Sequence, residues 1–170
     1  MFNIDYLAIF NNFPPQLATF LIAMIPIAEL RVALPIALGA YKMSILNAYF
    51  YSVAGNIFPV FFILYFIDSV SKFLMKHFVI FNKFFTWLFN HTRVKFEGKY
   101  AKYGALALVI FVAIPLPITG AWTGALASFL FQIPRRTGAV LVSLGVMIAG
   151  VIVALAYYGI FGSINLFFNL

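Results

Sequence analysis

The stretch Thr19-Phe-Leu-Ile-Ala-Met-Ile-Pro26-Ile-Ala-Glu29-Leu-Arg31-Val-Ala-Leu-Pro35-Ile-Ala-Leu-Gly39 decides how this chain folds. It is apolar enough for a bilayer, yet it carries two prolines, an acid and a base. A charge at the centre of a membrane helix costs about 2.5–3.5 kcal/mol on insertion scales. The 170-residue chain has only four acidic residues, so Glu29 is not background. An intramembrane ionisable residue is by default a candidate functional group. The plainer account is an ion pair that fixes the fold.

Composition sets the class. The chain is 65% hydrophobic and 9% charged, against roughly 45–50% and 25% in soluble domains. This is the composition of an integral membrane protein, one compact membrane domain over residues 1–170. Without cysteine there is no disulfide, thiol nucleophile or thiolate metal site. The start, Met1 to Asp5, lacks the basic region of a secretory signal. It reads as a short surface helix with Phe2, Tyr6, Phe10 and Phe13 on one face. The net charge of +7 does not point to nucleic acid. Most basic residues fall in one segment between two apolar blocks, which is how membrane topology is encoded.

Four apolar blocks follow one another. Residues 16–40 are interrupted by Pro26, Glu29, Arg31 and Pro35, and residues 44–67 are continuous. Residues 103–131 are interrupted by Pro115, Pro117 and Gly120, and residues 137–161 are continuous. The order is broken, unbroken, linker, broken, unbroken. Ile25-Pro26-Ile27 parallels Ile114-Pro115-Leu116, and a second breaker follows in each half, Pro35 and Gly124. Interruptions at corresponding places in two halves are the best sequence pointer to a transporter site. The expected repeats are residues 14–68 and 103–165, joined by a linker over residues 69–102.

Each broken block is geometrically awkward. The stretch from Leu17 to Ile27 would rise only about 16 Å as a helix, roughly half of the ~30 Å hydrocarbon core. A re-entrant helical hairpin solves this, and a single kinked spanning helix is the alternative. A hairpin plus one spanning helix gives one net crossing per half. The two repeats are then inverted, and the expected fold is an all-α integral membrane protein built on that plan. Lys72, Lys76, Lys83, Arg93, Lys95, Lys99 and Lys102 place the linker in the cytoplasm, with Arg135 and Arg136 on the same side. Lys42 and both termini then lie outside. Lysines recurring among phenylalanines predict that the linker is a basic amphipathic helix at the interface.

Several residues stand out as candidates for chemistry. In a regular helix Glu29 and Arg31, two apart, would point to nearly opposite sides. A break at Pro26 would change that. Burial favours a neutral carboxyl and a neighbouring arginine a charged one, so the pair suits either proton coupling or a structural lock. Pro115 and Pro117 force an extended turn, followed by Thr119, Gly120 and Trp122. Gly120, Gly124 and Ser128 recur every four residues and allow close helix approach. Asn56 sits mid-block, where an interhelical hydrogen bond is its default partner. Arg135 and Arg136 open the last helix, where the dipole disfavours cations. They serve topology or hold an anion such as a lipid phosphate. His77 and His91 are isolated, and no phosphate loop, zinc helix or nucleophile triad is present. No metal or other cofactor is expected, and an enzyme is the weaker class.

Ile25-Pro26-Ile27-Ala28-Glu29-Leu30-Arg31 with Pro35 and Gly39, and Ala113-Ile114-Pro115-Leu116-Pro117 with Thr119-Gly120-Ala121-Trp122, resemble the small multidrug export protein family. That family consists of short bacterial and archaeal membrane proteins. It is similar in plan to the DedA/VTT group, which pairs re-entrant hairpins with buried acids and arginines. The chain departs from the DedA pattern at Ile118, roughly where an acid would match Glu29. The resemblance implies a transporter in the prokaryotic inner membrane and adds lipid to its candidate substrates.

The expectation is therefore a proton-coupled transporter of an amphipathic or anionic lipid-like molecule. Glu29 would carry the proton, and Arg31, Asn56, Pro115, Pro117, Thr119, Gly120, Trp122, Arg135 and Arg136 would contact substrate. The cavity is expected between the hairpin tips. Partners would be protons, membrane lipids and the substrate, with a homodimer open to the chain and no nucleic acid. Rival classes are a non-transporting scaffold, in which the charges only lock the fold, and a lipid-modifying enzyme.

Overall fold

A computed structural model describes residues 6–10, 12–95, 100–116 and 119–168, with side chains outside 88–95, 100–102 and 161–168. Every element among the described residues is helical. They are α1 (Tyr6–Ile9), α2 (Pro15–Met24), α3 (Glu29–Gly39), α4 (Ile45–His77), α5 (Val79–Lys95), α6 (Tyr100–Ala113), α7 (Ala121–Leu130) and α8 (Arg135–Phe168). Two of them, α4 and α8, are long and apolar enough to cross a membrane. At about 1.5 Å per residue, the 33 residues of α4 span about 50 Å.

The breaks have local causes. Pro15 opens α2 at a position that needs no N–H. The helix stops at Met24 because Ile25 precedes Pro26 and takes an extended conformation, φ −72° and ψ 128°. The chain then turns at once, and Glu29 N–H donates to the Ile25 carbonyl at 2.8 Å. Pro35, expected as a second breaker, lies inside α3 and does not end it. Its cost is local, since it brings no N–H to the Arg31 carbonyl one turn back. Gly124 likewise lies inside α7.

The linker differs from the single interfacial helix expected. Lys72 and Lys76 continue α4 as far as His77, and α5 begins after a one-residue break at Phe78. The break is held by side chains. Asn82 Nδ2 donates to the Met75 carbonyl at 3.2 Å, and His77 Nδ1 lies 2.9 Å from the Phe73 carbonyl. Lys72, Lys76 and Lys83 are exposed. Arg93 and Lys95 are described for backbone only, as is Lys102, and Lys99 lies outside the described residues. Phe2 lies outside them too. Tyr6 and Phe10 pack against a core cluster of Ile22, Ala23, Ala28 and Ala33, and do not form a free surface stripe.

The chain divides into two compact units, Met1–Asn56 with Met147–Leu170, and Ile57–Val146. Their boundaries fall inside α4 and α8. In the first unit α2 and α3 pack against each other. Gly55 of α4 lies so close to α2 that an added Cβ would meet the Phe20 carbonyl and the Ala23 methyl. Gly150 of α8 does the same for the Tyr49 ring and Val53, and Tyr49 Oη donates to the Met147 carbonyl at 2.9 Å.

In the second unit α6 and α7 pack against each other. Gly124 and Gly145 both approach Val112 of α6, and Gly138 approaches Ser128. Gly138 lies by Leu64, and Arg135 by Asp68, so within this unit α4 and α8 run antiparallel. Small residues let the backbones meet where lipid offers no hydrophobic drive.

Gly55→Ala should therefore lower stability by about 1–3 kcal/mol through overpacking. Gly159→Ala is the control, because nothing lies within 4 Å of a Cβ there. Thermal unfolding of both variants in detergent measures the difference.

Candidate functional site

Glu29 is the first residue of α3 and is 3% exposed. Its φ is +50°, left-handed and unusual for a residue with a side chain. Strain of this kind costs on the order of 1–3 kcal/mol and clusters at functional sites. It also explains a pairing that a regular helix forbids. Arg31 Nη2 lies 3.4 Å from Glu29 Oε2, although the two are only two residues apart. The arginine side chain is 17% exposed and the glutamate side chain 4%. At 3.4 Å the ion pair is loose, longer than the ~2.7–2.9 Å of a charge-assisted hydrogen bond. The carboxylate also sits at a helix N-terminus, where the dipole favours negative charge.

Asn56, in the same unit, is completely buried on α4, one turn beyond the equally buried Ser52. The interhelical hydrogen bond expected for Asn56 is not made. Neither Asn56 Nδ2 nor Oδ1, nor Ser52 Oγ, has a partner among the described residues. Pro59 adds to this, because it brings no N–H to the Gly55 carbonyl. An unmet buried polar group costs about 1–3 kcal/mol.

The second unit holds the turn between α6 and α7. Pro115 is the centre of a tight turn, with Leu116 N–H donating to the Ile114 carbonyl at 2.8 Å. Thr119 Oγ1 donates to that same carbonyl at 2.5 Å and accepts from Leu116 N–H at 3.1 Å. Its hydroxyl thus fills the polar gap left by the broken helix. Gly120 has φ 144° and ψ −166°, a region essentially reserved for glycine. Trp122 is the second residue of α7 and is partly buried. Pro117 and Ile118 lie outside the described residues.

Arg135 found a partner that its sequence position does not reveal. Its Nε–H donates to Asp68 Oδ2 at 2.9 Å, and an Nη2 hydrogen reaches the same oxygen. The pair sits at a cleft of about 330 Å³ whose apolar wall is Leu64, Ile67, Phe129 and Ile133. Gln132 contributes to the rim with φ +54°, closing α7 in a Schellman turn. Its N–H donates to the Phe129 carbonyl at 2.9 Å, and Ile133 N–H to Ser128 at 3.0 Å. Arg136 is exposed and does not line the cleft.

The structure thus brings Glu29 to Arg31, gathers Pro115, Thr119 and Gly120 in one turn, and joins Arg135 to Asp68. A family model described as Putative small multi-drug export protein matches residues 29–152, from Glu29 through α4 and into α8. The chain belongs to that family. Membership in the export-protein family indicates a membrane transporter rather than an enzyme. No curated protein and no solved structure matches the chain, and the similarity to the DedA/VTT group gains no support from the comparisons.

Thr119→Val should destabilise the α6–α7 turn by about 1–3 kcal/mol, because it strips the hydroxyl from the Ile114 and Leu116 backbone groups. Thr119→Ser should retain most of the stability. Thermal midpoints in detergent compare the two.

Proposed function

We propose that this export-family protein is a proton-coupled transporter of an amphipathic or anionic lipid-like small molecule, with Glu29 as proton carrier. The observation that carries the reading is the Glu29–Arg31 pair. It is buried, loose at 3.4 Å, and held on a strained backbone at the break between two short helices. A carboxyl whose guanidinium neighbour moves away takes up a proton, and it releases that proton when the neighbour returns. Arg31 would answer an anionic group of the substrate. Asn56 and Ser52 offer unpaired polar atoms within the same unit.

The topology we propose is a pair of inverted repeats with re-entrant hairpins. Helices α2 and α3 have 10 and 11 residues, about half of what a ~30 Å crossing needs. Their mutual packing supports a hairpin. The native chain has no cysteine, so single cysteines at Lys42, Lys83 and Arg136 read sidedness directly. Lys83 and Arg136 should label from the cytoplasm and Lys42 from outside. Labelling of Lys83 and Arg136 from opposite sides would rule out the re-entrant arrangement.

The second reading, a scaffold, is favoured by the same ion pair if its role is only to neutralise Arg31. Glu29→Gln separates the two. A proton carrier predicts a folded protein of normal abundance with gradient-driven flux abolished, and Glu29→Asp should retain part of it. A structural lock predicts loss of abundance, because stranding one partner of a buried pair costs about 3–5 kcal/mol. Glu29→Gln with Arg31→Gln would then restore abundance. Flux in reconstituted vesicles, over anionic lipid and cationic drug substrates, is the measurement. Full flux in a stable Glu29→Gln protein removes Glu29 from the mechanism.

A further inference from the structure

We propose that the cleft at Asp68 and Arg135 is a headgroup site for an anionic phospholipid. Arg135 is the phosphate ligand and Asp68 the residue that positions it. The assignment does not rest on Glu29 carrying protons, and binding at the cleft is read without a gradient.

A guanidinium has five N–H donors in a fixed fork. Asp68 takes two of them on a single oxygen, from Nε and Nη2. Among the described residues three remain without a partner, on a side chain that is 51% exposed. A carboxylate that engages both edges of the fork would leave little for a ligand. This one engages one edge and leaves the Nη1 side open, and arginine–phosphate pairs prefer such two-point contact. The pair itself explains little of the stability, since exposed ion pairs are worth about 0–1 kcal/mol. Its geometric effect is to hold the guanidinium at the cleft mouth.

Charge then selects the sign of the ligand. Lys72 lies one turn beyond Asp68 on α4 and is exposed, so it shares that face. Arg136 adjoins Arg135, and the N-terminus of α8 adds positive potential. Lys72, Arg135 and Arg136 thus outnumber Asp68 at this end of α4 and start of α8, which favours an anion over a cation.

The surroundings select a lipid over a soluble anion. The unbroken apolar run of α4 ends at Ile67, so Asp68 and Arg135 stand where hydrocarbon gives way to headgroups. The cleft wall of Leu64, Ile67 and Phe129 is apolar, and on α4 the exposed Tyr65 continues an apolar surface beside it. A volume of about 330 Å³ is at the low end for small-molecule sites. It accommodates a headgroup and the start of an acyl chain, with the rest of the chain in the bilayer.

The test is binding of phosphatidylglycerol and phosphatidylcholine to the full-length detergent-purified protein, read by native mass spectrometry. Wild type should retain phosphatidylglycerol preferentially. Arg135→Gln should weaken it about tenfold, the loss of a charge-assisted hydrogen-bond set, while Arg136→Gln changes it less. Arg135→Lys keeps the charge but loses the fork, so it should also weaken binding, and it covers the case in which Arg135→Gln does not fold. Asp68→Leu gives the reading peculiar to a positioning role. It removes a negative charge and yet should lower affinity for the anionic lipid, whereas a merely competing carboxylate would raise it. Glycerol phosphate should not displace the lipid at equal concentration, and displacement would reassign the cleft to soluble phosphates. Equal retention of the two lipids by wild type, or unchanged phosphatidylglycerol binding in both Arg135 variants, overturns the proposal.

Discussion

A backbone N–H or C=O that faces hydrocarbon without a partner costs several kcal/mol, and no water is there to relieve it. The breaks after Met24 and after Ala113 answer to that constraint by different means. At Ile25–Ala28 the backbone solves it alone, with an extended residue forced by Pro26 and a tight return from Glu29 to Ile25. The consequence is a left-handed φ at Glu29. At Ile114–Gly120 a side chain supplies the missing partner, and Thr119 bonds both ends of the Pro115 turn. The glycine after it takes the conformation that no other residue tolerates. The first turn therefore carries a buried acid, and the second consumes its hydroxyl in holding itself together.

This difference bears on what the two halves do. Their sequences share the order of breakers, and α4 and α8 are each entered through a left-handed residue three positions before the helix, Lys42 and Gln132. The entry to the two long helices is alike, while the charged pairs are not. Glu29 and Arg31 make a buried pair. Asp68 and Arg135 make an exposed one, beside a cleft. Burial raises the consequence of every protonation change, because an uncompensated charge in low dielectric is costly. Exposure leaves an arginine free to exchange partners.

The helical class, the two long apolar helices and the positions of both breaks were legible because they rest on local chemistry. Apolar length, proline and glycine act on neighbours in the chain. The second breakers misled, since Pro35 and Gly124 sit inside helices that packing sustains. Phe78 was invisible as a break, because the side-chain bond from Asn82 to Met75 that supports it has no sequence signature. The Glu29–Arg31 pairing depended on one backbone angle that helical spacing cannot anticipate. Asp68 was missed altogether. Its partner lies 67 positions along the chain, and a lone acid at the end of an apolar run reads as an ordinary boundary residue.

At the first position of α8 Arg135 opposes the helix dipole, a cost of a few tenths to about 1 kcal/mol. Asp68 offsets this on one edge of the guanidinium only. A residue kept solely for topology would need no such partner, since positive charge near a helix end suffices for orientation. A residue kept solely to brace α4 against α8 would be better served by a buried apolar contact of the kind Gly138 and Leu64 already make there. A half-exposed guanidinium, fixed in direction by one acid and left with open donors above an apolar wall, fits neither role as well as it fits the recognition of an anion at the bilayer surface.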